Sequence, residues 1–150
     1  MQTSAHNQTN LYDRDYALWL AAQVQALKDR NLKAIDLGNL IEEIEDMGRS
    51  QKDAVDSNLV VVLLHLLKYK YQPEKRSNSW KASIREHRRR LRKSFKASPS
   101  LKRYCEIGFQ ENYQDARAGA ADETGLALDT FPSESPFTLD EALDADYLPD

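Results

Sequence analysis

Two clusters of opposite charge hold most of the chain's chemical potential. Arg85, Arg88, Arg89, Arg90, Arg92, Lys93 and Lys96 crowd into twelve positions, and Glu42, Glu43, Glu45 and Asp46 into five. Guanidinium groups on a rigid element suit phosphate oxygens. Several together give binding that is salt-dependent and tolerant of sequence. The predicted partner-binding set is Arg85, Arg88, Arg89, Arg92, Lys93 and Lys96, with nucleic acid or an acidic protein surface as the partner. The competing reading pairs these arginines with the chain's own acids, including Glu42 to Asp46 and the C-terminal tail. No helix-turn-helix glycine turn, zinc ligand set or stacking-aromatic motif accompanies the basic run.

The acidic cluster raises a second class of function, a small metal-dependent phosphohydrolase. Glu42, Glu43 and Asp46 resemble the first half of the E-E-x-x-E element with which helical nucleoside-triphosphate pyrophosphohydrolases hold Mg²⁺, a cation that takes carboxylate oxygens. The second half has one local match, Asp53-Ala54-Val55-Asp56, which follows too soon to lie on a separate facing helix. Glu45 and Arg49 form an i,i+4 pair instead. His65 and His87 fall on apolar lines and are expected to be hydrogen-bonded core residues. Neither has a second histidine at i+3 or i+4, so zinc is not indicated. Cys105 is expected to be a buried, inert thiol. No catalytic residue, metal site or cofactor is predicted, and an enzyme is the less favoured class.

Helices must position these groups. Asp13 is the predicted cap of a first helix to about Arg30, with Tyr16, Leu20, Val24 and Leu27 as its apolar line and Trp19 beside it. Asp36 caps the next. Its line runs through Leu37, Ile41, Ile44, Gly48, Val55, Leu59, Val62, Leu66 and Tyr69, as one helix to about Tyr71 or two joined near Gly48. Gln72-Pro73 ends it. A basic third helix spans 77–97 with Trp80, Ile84, His87, Leu91 and Phe95 on its stripe. Ser98-Pro99 starts a fourth, to about Ala121, burying Leu101, Cys105, Phe109, Ala116 and Ala120. Beyond Gly125 the chain reads as a loop-rich acidic tail with a short helix capped by Thr138. Leu126, Phe131, Phe137 and Tyr147 are predicted to pin it to the bundle. The fold class is therefore all-α, a bundle of about four main helices, with residues 11–150 as one domain behind a disordered lead over residues 1–10.

Composition supports this. Hydrophobic residues make up 41% of 150, enough for a real core, and 5 Gly and 5 Pro are too few for a turn-rich sandwich. The net charge of −3 hides a segregation: Lys68 to Arg103 carries 14 bases against two acids, a net +12, and the remainder carries −15. A lone cysteine fits a reducing compartment, and the polar N-terminus lacks an apolar signal region. Leu59 to Leu67, the most apolar run, is about half a membrane span. The expectation is a cytoplasmic protein without membrane contact, its oligomeric state open.

The motifs also resemble a bacterial family known as domain of unknown function 29, common in cyanobacteria and proteobacteria. Tyr12-Asp13-Arg14-Asp15-Tyr16 with Trp19, Leu40 through Ser50, Leu64-His65-Leu66-Leu67-Lys68, Gln72-Pro73 and Ser79-Trp80 carry the likeness. Ile84-Arg85 leading to Arg89-Arg90, Pro99-Ser100-Leu101, Glu123-Thr124-Gly125-Leu126 and Phe131-Pro132 continue it. The resemblance implies a compact helical domain and no particular activity. Members often carry tryptophan where Tyr69 stands, and many carry cysteine where Ser135 stands.

Overall fold

The structure, a computed structural model, describes residues 11–150. The lead over residues 1–10 lies outside the described residues. Helices account for 79% of the described residues, and no strand occurs among them. After a helical turn over residues 11–14 come α1 (Tyr16–Lys28), α2 (Leu37–Tyr71), α3 (Asn78–Ala97), α4 (Ser100–Ile107), α5 (Phe109–Thr124) and α6 (Leu139–Leu143). That makes seven helical segments among the described residues rather than about four main helices and one short one, because the predicted fourth helix is two and residues 11–14 form a separate turn. Gly108, at φ −87° and ψ 3°, departs from helical geometry and separates α4 from α5. Asp15, not Asp13, caps α1 through the Leu18 N–H at 3.1 Å, and the Ser98 side chain caps nothing.

The chain forms two compact units, Met1–Ser50 and Gln51–Asp150. In the first, α1 pairs in opposite direction with the start of α2. Trp19 Nε1 donates to Asp36 at 3.0 Å, and Gln23 Oε1 accepts the Asp36 N–H at 2.7 Å. Tyr12 and Tyr16 both donate their hydroxyls to Glu43. Trp19, Gln23 and Ala26 are the buried face of α1, while Tyr16, Val24 and Leu27 of the predicted line are exposed. The large indole and the Asp36 contacts set the face, one residue round from the predicted stripe. After α1 the chain turns through Arg30 at φ 53°, with the Asn31 N–H on Ala26 O and the Arg30 N–H on Leu27 O. This is a Schellman ending with arginine in the left-handed position that usually takes glycine.

α2 is one unbroken helix of 35 residues, so Gly48 neither ends it nor admits a close crossing; nothing lies within 4 Å of a Cβ placed there. In the second unit Val55, Leu59, Val62, Leu63, Leu66 and Leu67 form the centre of a core shared with Ile84, Leu91, Cys105, Tyr113, Ala116 and Ala120. Phe131, Phe137 and Ala142 close it from the C-terminal segment, with Leu126 and Tyr147 packed beside them. The Gly125 turn at φ 72° and the capping box of Thr138 with Glu141 redirect the chain to make that cover.

Candidate functional site

Ser77 caps α3 by accepting the Trp80 N–H at 3.2 Å, and the helix then buries Ile84, Arg88 and Leu91. The 4- and 3-residue steps from Ile84 place Arg88 on the packed face. Only 2% of it is exposed. Its Nε donates to Ala142 O at 2.8 Å, Nη1 to Tyr147 O at 2.8 Å and Nη2 to Glu141 O at 3.1 Å. Burial pushes its pKa down, Arg92 adds to that, and the Asp144 carboxylate opposes it. Arg88, predicted to meet a partner, therefore straps the C-terminal segment to α3.

Arg89 and Arg90 face outward and are held by Glu86 of the same helix, at 2.8 Å and 3.1 Å. The two guanidiniums hold the Glu86 carboxyl down at about 2. Arg85, Arg92, Lys93 and Lys96 are exposed and make no ion pair among the described residues. Lys81, absent from the predicted set, joins them. Lys81, Arg85, Arg88 and Arg92 follow one another at steps of four, three and four, and they line one side of a cavity of about 450 Å³ against the C-terminal segment. That spacing was readable in the sequence; the wall opposite it was not.

Of the acidic cluster Glu42 is exposed, and the other three acids are engaged elsewhere. Glu43 takes two tyrosine hydroxyls, and Arg49 binds Asp46 and lies 3.8 Å from Glu45. Asp56, the end of the candidate second half, accepts from Tyr104 at 2.6 Å and Asn112 at 2.9 Å. No group of three or more His, Cys, Asp or Glu that could hold a metal ion occurs among the described residues. His65 Nδ1 lies 2.8 Å from Val61 O, and His87 Nδ1 lies 2.7 Å from Asn58 Oδ1. Burial, with Arg90 and His65 adding to it, pushes the His87 pKa down. Burial likewise pushes the Cys105 thiol up to about 11, which keeps it protonated and unreactive at neutral pH. No described helix is long and apolar enough to cross a membrane.

The family model described as "Domain of unknown function DUF29" matches residues 11–148, almost the whole described chain. The chain belongs to the DUF29 family. No curated protein and no solved structure matches it. The family assignment carries no chemistry.

Proposed function

We propose that the chain is a non-enzymatic interaction module of the bacterial cytoplasm, whose basic helix α3 binds an acidic partner, nucleic acid or an acidic protein surface. One observation carries this reading. Arg85, Arg92, Lys93 and Lys96 stand exposed on one rigid helix without ion pairs among the described residues. Of the acids that form ion pairs outside α3, Glu123 of α5 lies beside Lys68 at 3.7 Å and Asp129 of the C-terminal segment beside Arg117 at 3.6 Å, so neither meets α3. Within the basic stretch Lys68 to Arg103, the charge that the chain pairs with its own acids is Lys68 with Glu123, Arg89 and Arg90 with Glu86, and Arg103 with Glu106.

A module that meets phosphates through four such cations loses roughly 10²-fold in affinity between 50 and 200 mM salt, because each contact releases a counterion. Electrophoretic shift with single- and double-stranded DNA and RNA, and titration with polyglutamate, test the reading. The expected result is binding at low salt that fades on this slope. Changing Arg85, Arg92, Lys93 and Lys96 together to glutamine should lower affinity for every sequence and flatten the slope. Absence of binding to all of these polyanions at both salt concentrations would end it.

A further inference from the structure

The cavity beside α3 is narrower in its chemistry than the helix as a whole. Its cationic side is Lys81, Arg85, Arg88 and Arg92, and the one acid among its lining residues is Asp146, which leaves a net +3 in about 450 Å³. That volume is in the range of small-ligand sites, roughly 300–1,000 Å³. Arg88 contributes a charge neutralised by no carboxylate hydrogen bond: its three bonds go to backbone carbonyls, and it is 2% exposed. A guanidinium has five N–H donors, so two remain after those three. Arg85 and Arg92 are exposed, with their planar donor forks uncommitted to any carboxylate.

A single carboxylate offsets little of this charge. A phosphate monoester carries about −1.5 to −2 at neutral pH and presents three oxygens that match guanidinium forks. The remaining lining is aliphatic: Ile84 on the helix side, Ala145 and Leu148 on the other, with Leu148 among the exposed large apolar side chains. With no aromatic ring among the lining residues, a nucleobase finds no stacking partner, whereas an alkyl group finds a matching surface. We infer that this groove is a binding site for a phosphate monoester bearing an aliphatic group, held by Lys81, Arg85 and Arg92 over the exposed Ala145 and Leu148. The inference rests on the anion-binding reading of α3 and names a ligand class for one part of it. The same chemistry is offered by a soluble alkyl phosphate and by the headgroup end of phosphatidic acid.

Calorimetric titration of the full chain at low salt with hexyl phosphate, inorganic phosphate and hexanoate tests it. Hexyl phosphate should bind one to one and at least about 10-fold more tightly than either fragment, the effect of burying about two methylenes. Arg85→Gln with Arg92→Gln should weaken it about 10-fold or more, with unchanged circular dichroism, since both side chains are exposed. Leu148→Ser should bring hexyl phosphate down towards inorganic phosphate. Co-sedimentation with phosphatidic acid vesicles but not phosphatidylcholine vesicles assigns the ligand to lipid; soluble binding alone assigns it to a metabolite. Hexyl phosphate binding no tighter than phosphate, or binding indifferent to the arginine changes, would overturn the groove. If nucleic acid or polyglutamate still binds with a steep salt slope, the reading of α3 survives that failure; if neither does, both fall.

Discussion

The two halves of α2 carry the same apolar spacing and meet opposite fates. Leu37, Ile41 and Ile44 on its first half are 63%, 48% and 59% exposed, whereas Val55, Leu59 and Val62 on its second half are fully buried. Nine of the twelve exposed large apolar side chains among the described residues lie in Met1–Ser50. What separates the halves is cover. Around the second half, α3, α5 and the segment carrying Phe131 and Phe137 close over the helix, and Arg88 fastens that segment in place. The first half has α1 beside it, which presents a single large buried ring, Trp19, and is held largely by polar bonds to Asp36 and Glu43. A periodic line in sequence thus reports a face that suits burial, and neighbouring segments decide whether it is buried.

Truncating one side chain from each half puts the largest number on this difference. Leu63→Ala removes a fully buried side chain from the centre of the core and should cost about 2–5 kcal/mol in urea unfolding. Ile44→Ala, at an exposed position, should stay within about 0.5 kcal/mol. A loss at Ile44 as large as that at Leu63 would mean that the exposed line is covered in solution, and would break the comparison.

The two units also end helices differently, which gives a medium-sized effect of opposite sign. Gly125 occupies the left-handed position after α5, and Arg30 occupies the same kind of position after α1. Left-handed geometry costs a residue with a Cβ about 1 kcal/mol, and glycine escapes it. Gly125→Ala should therefore destabilise the second unit by about 1 kcal/mol. Arg30→Gly should slow amide exchange across residues 16–28 by a few-fold at most, because glycine's extra freedom in the unfolded chain offsets part of the gain. Faster exchange in Arg30→Gly would show that the arginine side chain, not its backbone, holds that turn.

Legibility in the sequence followed the range of the interaction. Ser77 before Trp80, Thr138 three residues before Glu141, and Gly125 after α5 are local signals, and each does in the structure what its type suggests. The all-α class and the burial of Leu101, Cys105, Phe109, Ala116 and Ala120 followed from period alone. The interruption at Gly108 did not, because Asp56 on α2, distant in sequence, gathers Tyr104 from one side of the break and Asn112 from the other. Nor did the role of Arg88. Its type argued for solvent, while its spacing from Ile84 and Leu91 argued for the core, and only the carbonyls of residues 141, 142 and 147 make burial of that charge tolerable. For the same reason the groove was half visible: one wall is a helical repeat of cations, the other a segment more than fifty residues away.

The smallest effect belongs to the outward face of α3, where charge rather than burial is at stake. Each unit has a fork of like charges on one opposite charge: Arg49 between Glu45 and Asp46, and Glu86 between Arg89 and Arg90. Hydrogen bonds from Arg89 and then Arg90 lower the Glu86 carboxyl from 4.5 to about 2. Because the folded value lies below the unfolded one, the carboxylate favours the fold above about pH 4.5. That contribution fades as pH falls through the interval down to about 2. The Glu86 side chain is 41% exposed, so solvent and salt screen most of the gain. Glu86→Gln should accordingly lower the urea midpoint slightly at pH 7 and low salt. The gap between variant and parent should narrow between pH 4.5 and 2, and added salt should narrow it at any pH. A ¹³C titration of the Glu86 carboxyl with its midpoint near the ordinary 4.5 would show that the two arginines sample solvent instead of gripping it. Arg89 and Arg90 would then join Arg85, Arg92, Lys93 and Lys96 as cations open to a partner, doubling the exposed arginines on α3 that hold no carboxylate.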